Sequence, residues 1–223
     1  MHWPVPISIL RSLIPARLEL EVDTFEGQAW IGVVPFRMSD VYPLGAFAVP
    51  GLSAFAELNV RTYVIRDGKP GVWFFSLDAA NPVAVQIARS WFKLPYFYAE
   101  MACRRMWAHD FFEITYASRR LHRGAGVAEF EARYGPTGPV FMAQPGTLEY
   151  FLTARYCLYT MDRQGAVLRG EIDHAPWPLQ VAQAQATCNT MTRWLGIDLD
   201  SMPLLHYADR LDVVVWPLQR AEN

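Results

Sequence analysis

The chain of 223 residues is 52% hydrophobic and has a formal net charge of −2 with a pI of about 6.2. This length and apolar content can bury a substantial core, so we expect one domain spanning residues 1–223. Because the sequence has no block of like charges and no basic stripe, it offers no electrostatic basis for binding nucleic acid or an anionic membrane.

The cysteines and histidines bear on compartment and on metal binding. Cys103, Cys157 and Cys188 lie far apart and form neither a disulfide framework nor a metal-ligand cluster, so a reducing cytoplasm is the expected location. The histidines show no His-x-His or His-x₃-His spacing. Neither a glycine-rich phosphate loop nor a serine nucleophile elbow is present. We therefore expect no metal and no cofactor.

The chain begins with a short helix and two strands. The apolar pattern predicts a helix from Ile7 to Ile14 that ends at Pro15. Pro4, Pro6 and Arg11 interrupt the apolar N-terminal segment, so it is expected to be neither a signal peptide nor a membrane span. LELEV and QAWIGVVPF predict two strands, the second central because it is apolar on both faces. The Pro- and Gly-rich segment Ser39 to Ser53 predicts a loop, either a binding-site rim or a plain surface crossover.

A β-hairpin and a helix follow, and they hold most of the candidate site. Phe55 to Arg66 alternates with a period of two, so one strand face is expected to be core and the other to carry the chemistry. That second face holds Phe55, Glu57, Asn59, Arg61 and Tyr63. The turn Asp67 to Gly71 returns the chain into GVWFFSL as an antiparallel strand. Asn81 and Pro82 then predict the cap and first position of a helix that stops before Pro95, beside Tyr96.

The remaining sequence reads mainly as strands. FYAEMACRRMW is open between strand and short helix, whereas FFEITYASR and AGVAEFEARY alternate as strands. Thr147 predicts the cap of a short helix, and YCLYTM with AVLRGEID predicts a second hairpin around residues 162–165. LQVAQAQATCNTM favours a helix by propensity, while LDVVVWPL predicts a last strand.

Several of these segments carry a family resemblance. LDAANPVAVQIARSWFKLPY (Leu77 to Tyr96) resembles the acetoacetate decarboxylase superfamily, with Arg89 and Pro95 at matching spacing. ELNVRTYV, HWPVP, DTFEGQAWIGVVPF, PGVWFFSLDA, HAPWPLQ and LDVVVW resemble the YqjF-like family, an uncharacterised bacterial group related to those decarboxylases. The resemblance implies an α+β fold, a mainly antiparallel β-barrel or closed sheet with a few short helices. It also favours a strand for LQVAQAQATCNTM, a start shortened by a few residues and a homo-oligomer.

The sequence departs from the decarboxylases at the reacting group. In that superfamily a lysine after the proline forms a Schiff base with the substrate, assisted by a neighbouring lysine. The corresponding positions here are Tyr96 and Phe97, and a phenol cannot form an imine. Glu57 matches the second glutamate of the superfamily, while a further carboxylate would fall near Val34. Decarboxylation by the superfamily's mechanism is therefore not expected, since a shared scaffold does not fix a shared chemistry.

We interpret six residues as a candidate site for a small carbonyl- or carboxylate-bearing molecule. Arginine would anchor an acid group, and Glu57 or Tyr96 would move a proton. The expected catalytic residues are Glu57 and Tyr96, and the expected substrate-binding residues are Arg61, Arg89, Asn59 and His174.

Each candidate also has a structural interpretation. Glu57 and Arg61 can lie on a solvent-facing sheet surface or form an internal salt bridge, and Arg89 can brace a helix against a strand. Tyr96 can be a core aromatic side chain, and His174 can have a structural role in a turn. The alternative function is a non-catalytic ligand-binding or assembly protein on the same scaffold.

Overall fold

The computed structural model describes residues 1–39, 54–108 and 111–221, and this part contains fifteen strands and three helices. The strands are β1 His2–Val5, β2 Glu21–Val22, β3 Ala29–Ser39, β4 Ala54–Arg66, β5 Lys69–Ala79, β6 Tyr96–Ala108, β7 Phe111–Arg120, β8 Glu129–Pro136, β9 Phe141–Met142, β10 Cys157–Met161, β11 Val167–His174, β12 Pro178–Asn189, β13 His206–Tyr207, β14 Val213–Val215 and β15 Gln219–Arg220. The helices are α1 Ile7–Leu13, α2 Pro82–Trp91 and α3 Leu148–Thr153. The predicted loop after Ser39 lies outside the described residues.

The strands join in one curled, open sheet. Its main path runs β1-β3-β4-β5-β6-β7-β8-β12-β13. Strand β5 is the branch point, because its far edge pairs with β6 at Leu77 to Ala79 and with β10 at Val72 and Trp73. Beyond β10, strand β11 carries β14 and β15. The branching leaves β4, β5 and β6 adjacent in the middle of the sheet.

The prediction of a closed barrel is wrong. The two ends of the described sheet approach each other only through a single bridge between His2 and Leu204, and a single bridge is not a ladder that could close the sheet. The antiparallel prediction holds only in part, since both strands on the far edge of β5 run parallel to it and make the sheet mixed.

The local elements follow the sequence closely. Asp67 and Gly68 have φ values of 51° and 72°, so the β4–β5 hairpin turns through two left-handed residues, which matches the right-handed twist of its strands. The Asn81 side chain accepts hydrogen bonds from the Val83 and Ala84 amides, with Pro82 in the first turn, as predicted. FYAEMACRRMW and LQVAQAQATCNTM, both ambiguous in sequence, fall in β6 and β12. Tertiary pairing therefore overrides the helix propensity of the second.

Both faces of β4 are buried, which departs from the expected division into one core face and one chemical face. Leu58, Val60 and Val64 belong to a large core on one side. Tyr63 belongs to a smaller core on the other, which Leu94 and the α3 residue Leu152 complete. No helix within the described residues is long and apolar enough to span a membrane.

Candidate functional site

The adjacency of β4, β5 and β6 brings Glu57 and Tyr96 together. Asn59 of β4 lies opposite Leu77 of β5, and Leu77 lies beside Tyr96 of β6. Glu57 is two residues from Asn59 and so shares its face of the sheet. The Tyr96 hydroxyl lies 3.3 Å from Oε1 and 3.2 Å from Oε2 of Glu57 and donates to this carboxyl group. The two expected catalytic residues are therefore in direct contact.

The surroundings of the pair favour a neutral carboxyl group. Only 2% of Glu57 is exposed, and the Tyr96 hydroxyl is the one hydrogen-bond partner of its carboxyl group in the described part of the chain. Burial raises the pKa of Glu57 to about 8, an effect that the Tyr96 hydrogen bond opposes and the Asp78 charge reinforces. Burial likewise raises the pKa of Tyr96 well above its ordinary value, with the Glu57 charge adding to it. At neutral pH the pair holds its protons.

A buried ion pair adjoins this site on the opposite face of β5. The Nε of Arg120 lies 3.0 and 3.1 Å from the two carboxylate oxygens of Asp78, and a terminal guanidinium nitrogen lies 2.7 Å from Oδ1. The Phe97 ring packs under the same guanidinium at 4.3 Å. Burial raises the pKa of Asp78 to about 6 despite the hydrogen bond and the charge of Arg120. The Arg120 guanidinium is thus paired with Asp78 and does not act as a counter-charge for the Glu57 carboxyl group.

Arg89 supports Tyr96 through its backbone. It lies in the last turn of α2, is exposed, and donates to the Tyr96 carbonyl oxygen at 2.6 Å. Its guanidinium also lies 5.7 Å from the Phe97 ring. This geometry braces α2 against the start of β6. Lys93 is exposed and donates to the Ser90 carbonyl oxygen.

Arg61 and Asn59 lie further along the same face of β4. The Arg61 guanidinium lies 5.9 Å from the Tyr63 ring, and the Tyr63 hydroxyl is 2.9 Å from Nε2 of His2. Asn59 Oδ1 and Arg61 Nε are buried without a hydrogen-bond partner among the described residues. Neither a solvent-facing surface nor a Glu57–Arg61 salt bridge is therefore observed in this part of the chain.

His174 belongs to a separate place in the fold. It ends β11, where Nδ1 lies 2.8 Å from the Ala175 carbonyl oxygen and Nε2 lies 3.3 Å from that of Arg155. The imidazole stacks on Tyr156 with ring centroids 4.8 Å apart and lines a cleft of about 50 Å³ together with Trp177. The structure does not bring His174 to the Glu57–Tyr96 pair, and its contacts agree with the turn interpretation.

The sequence reasoning missed Tyr116 of β7, which supports the site, and its buried polar neighbours on the same strand face. Tyr116, Ser118 and Arg120 occupy alternate buried positions, and the Tyr116 hydroxyl donates to the Glu57 backbone carbonyl oxygen at 2.7 Å. The alternation in FFEITYASRR carries a detectable signal, because it places three polar side chains on the face that also holds apolar Ile114. No group of metal-ligating side chains that could hold an ion occurs among the described residues.

Solved structures of low sequence identity share the fold. Acetoacetate decarboxylase from Legionella pneumophila aligns with a TM-score of 0.62 at 11% identity, covering 99% of this chain and 82% of that one. The enduracididine biosynthesis enzyme MppR complexed with pyruvate aligns with a TM-score of 0.59 at 13% identity, covering 97% of this chain and 83% of that one. These similarities establish an acetoacetate decarboxylase-like scaffold and leave the chemistry open.

Sequence comparison gives the family. The uncharacterized protein YqjF of Bacillus subtilis (strain 168) is 46% identical over 220 residues, which cover 98% of this chain and 87% of that protein. The model of the DUF2071 family, described as an uncharacterized conserved protein, matches residues 1–212. The chain therefore belongs to the DUF2071 family of uncharacterized conserved proteins.

Proposed function

We propose that this protein binds a small carbonyl- or carboxylate-bearing molecule beside Glu57 and Tyr96, and that this pair transfers a proton to or from the bound molecule. The observation that carries the proposal is the burial of the Glu57 carboxyl group against a phenol, with no cation as partner in the described residues. Buried carboxyl groups of this kind serve as proton donors at neutral pH in known enzymes.

The chemistry follows from the protonation state. A neutral Glu57 can donate its proton to a ligand oxygen from one carboxyl oxygen, while the other accepts from the Tyr96 hydroxyl. The phenol then holds the carboxyl group in one orientation and compensates part of the charge that develops when the proton leaves. Because Tyr96 and Phe97 replace lysines, no covalent imine is part of the proposal.

The acid group of a ligand would be anchored by Arg61 rather than by Arg89. Arg61 shares the strand face of Glu57, and its buried Nε has no hydrogen-bond partner among the described residues. The side-chain Oδ1 of Asn59, which lies between them on the strand, is likewise buried without a partner there. The exposed Arg89 already donates to Tyr96. At about 3.3 Å per residue, the α-carbons of Glu57 and Arg61 lie roughly 13 Å apart, a separation that two inward-reaching side chains and a small oxo acid can span. The pyruvate bound by MppR belongs to this chemical class.

A non-catalytic ligand-binding or assembly protein is the second candidate. The observation that favours it is that the Tyr96 hydroxyl already donates a hydrogen bond to the Glu57 carboxyl group, while Arg89 donates to the Tyr96 backbone carbonyl oxygen. Under this alternative, the pair is a structural hydrogen bond between two central strands. A homo-oligomer and a cytoplasmic location, the latter supported by three unbonded cysteines, also stay proposals.

The experiment combines binding with proton exchange. Ligand-detected NMR with pyruvate and 3-oxo acids in D₂O measures affinity in the same sample as the exchange of α-protons for deuterium, a step in which Glu57 protonates the carbonyl oxygen while water takes the α-proton. Glu57→Gln and Tyr96→Phe keep the size of each side chain and are expected to abolish or greatly slow the exchange. Arg61→Gln is expected to weaken binding by about tenfold, as for loss of a charged hydrogen bond.

Controls separate the two candidates. Tyr156→Phe removes an exposed hydroxyl next to His174 and is expected to change nothing. Arg89→Ala, which removes the brace on Tyr96, leaves affinity unchanged if Arg61 is the anchor. Binding without exchange would favour the non-catalytic protein, and binding that is unaffected by Glu57→Gln, Tyr96→Phe and Arg61→Gln would refute the location of the site.

A further inference from the structure

Basic side chains surround the Phe97 ring where α2 meets β6 and the end of β7. The Arg89 guanidinium carbon lies 5.7 Å from the centre of this ring, and that of Arg120 lies 4.3 Å from it. The His122 imidazole meets the same ring edge-on, with centroids 5.5 Å apart. Because Arg120 is buried and paired with Asp78, the exposed Arg89 and the partly exposed His122 are the members of this cluster that a ligand can reach.

The backbone determines which nitrogen of His122 carries the proton. Nδ1 accepts a hydrogen bond from the Tyr98 amide at 3.3 Å, so the proton of the neutral ring lies on Nε2. Burial lowers the pKa of His122, and the charges of Arg89 and Arg120 lower it further, so the ring is neutral at pH 7. Its Nε2–H group is a hydrogen-bond donor without a partner among the described residues.

Arg89 keeps a two-donor edge of its guanidinium group. Its Nη1 donates to the Tyr96 carbonyl oxygen at 2.6 Å, which holds the side chain against the start of β6. Nε and Nη2 have no hydrogen bond or ion pair within the described part of the chain. These two nitrogens form a fork that matches two oxygen atoms of an oxyanion.

The local charge is positive because the two segments that meet here lack acidic residues. Neither residues 79–99 nor residues 114–128 contain an aspartate or a glutamate. Their basic residues other than histidine are Arg89, Lys93, Arg119, Arg120 and Arg123. Arg119 and Arg120 are paired with carboxylates of other segments, whereas the other three have no ion pair among the described residues. The neighbouring turn at Trp194 adds no net charge, since its Arg193 and Asp198 are paired with each other.

We propose that Arg89 and His122 bind a phosphate group, either free or carried by a small metabolite, beside the Phe97 ring. The Arg89 fork can hold two phosphate oxygens, and the Nε2–H group of His122 can donate to a third. A planar carboxylate has only two oxygens, both of which the fork occupies, so this set of donors favours the tetrahedral anion. The proposal does not depend on proton transfer by the Glu57–Tyr96 pair.

The test is an NMR titration of the full chain at pH 8 with inorganic phosphate and with methyl phosphate, at an ionic strength held constant with sodium chloride. The amide signals of Phe97 and Tyr98 report binding, and the wild type is expected to show saturable shifts. Arg89→Gln is expected to weaken binding by about fivefold, as for loss of an exposed charge. His122→Phe keeps an aromatic ring against Phe97 but removes the donor, and is expected to weaken binding by about threefold.

Two further variants separate a specific site from general attraction. Arg119→Gln removes the same charge from an exposed neighbour that is paired with Glu100, so it is the matched control and should leave binding unchanged. Arg89→Lys keeps the charge and a donor for the Tyr96 carbonyl oxygen but lacks the fork. It is expected to bind phosphate more weakly than the wild type while its amide spectrum remains that of the folded chain.

The pKa of His122 provides a second measurement. Because the arginine charges lower this pKa, a bound anion is expected to raise it. Sulfate is the probe, since it remains a dianion throughout the titration of the imidazole. Arg89→Gln is expected to raise the His122 pKa in the absence of sulfate and to reduce the effect of sulfate.

The two phosphates distinguish the sources of the ligand. Equal affinities would support a phosphate carried by a metabolite, and binding of inorganic phosphate alone would support the free ion. Absence of saturable shifts with both, equal losses of affinity in Arg89→Gln and Arg119→Gln, or a His122 pKa that sulfate leaves unchanged would overturn the proposal.

Discussion

Replacing Glu57 by glutamine should remove a large pH dependence from the free energy of unfolding. The ordinary glutamate pKa is 4.5, and the value in the folded chain is about 8. Each pH unit between these values changes the free energy of unfolding by about 1.4 kcal/mol, so the full effect is roughly 5 kcal/mol. This is an upper bound, because a destabilised carboxylate can gain solvent by local relaxation.

The sign follows from proton uptake. Between pH 4.5 and about 8 the folded chain keeps the Glu57 proton, whereas the unfolded chain has lost it. The stability that burial of the neutral acid provides is fully present below pH 4.5 and decreases as the pH rises toward 8, after which the dependence levels off. Glutamine stays neutral throughout and can accept the Tyr96 hydrogen bond, so the variant should become the more stable protein at high pH.

The assay is urea unfolding at intervals from pH 5 to pH 9, with the difference in unfolding free energy between the variant and the wild type as the readout. Subtraction removes most of the contribution of Asp78, whose pKa is also raised, because both proteins carry it and its charge has a smaller effect on the Glu57 pKa than burial has. Glu113→Gln, at an exposed position on β7, is the control and should run parallel to the wild type. A difference for Glu57→Gln that stays constant across this range would refute the assignment of a buried neutral carboxyl group.

Two further predictions concern the fold around the site. Asp78→Asn removes the counter-charge of the buried Arg120 and should lower the free energy of unfolding in urea by about 3–5 kcal/mol. A double variant, Asp78→Leu with Arg120→Met, should recover much of that stability. Equal losses of stability in the two variants would contradict the ion-pair argument. Gly71→Ala would place a Cβ 2.7 Å from the Cys157 sulfur and 2.9 Å from its carbonyl oxygen, and should cost about 1–3 kcal/mol. Gly138→Ala is the control, because its new Cβ would lie 3.8 Å from Val181 in ordinary contact, and a similar loss in both variants would contradict the steric reasoning.

The parts of the fold that sequence reasoning could predict are those decided by neighbouring residues. The β4–β5 turn depends on Asp67 and Gly68, and the start of α2 depends on Asn81 and Pro82, so each signal lies within a few positions. Closure of the sheet depends instead on how β1 meets the segment around Leu204, some two hundred residues away. No local sequence pattern predicts whether these two segments pair as a ladder. The prediction of a closed barrel, which came from the family resemblance, was therefore wrong.

The same distinction applies to the candidate site. Strand alternation placed Glu57, Asn59 and Arg61 on one face, and the family resemblance pointed to Tyr96, but only the register of β4, β5 and β6 shows that the phenol meets the carboxyl group. His174 is a candidate because it follows a strand, adjoins Asp173 and can act as an acid or a base, but its contacts are with Ala175, Arg155 and Tyr156. Arg120 was missed because its partner Asp78 is 42 residues away and on a strand that it does not neighbour.

The group that lies beside Glu57 decides which proton-transfer role is open to this carboxyl group. Beside a protonated lysine, a carboxylate would be stabilised as an anion, and its pKa would be lowered. Beside a phenol, and with Arg120 held by Asp78, burial dominates and the group stays protonated at neutral pH. A protonated Glu57 is suited to donating a proton, as the proposed function requires. A phenol at position 96 therefore offers no amine for imine chemistry, and it leaves the neighbouring Glu57 as a buried acid.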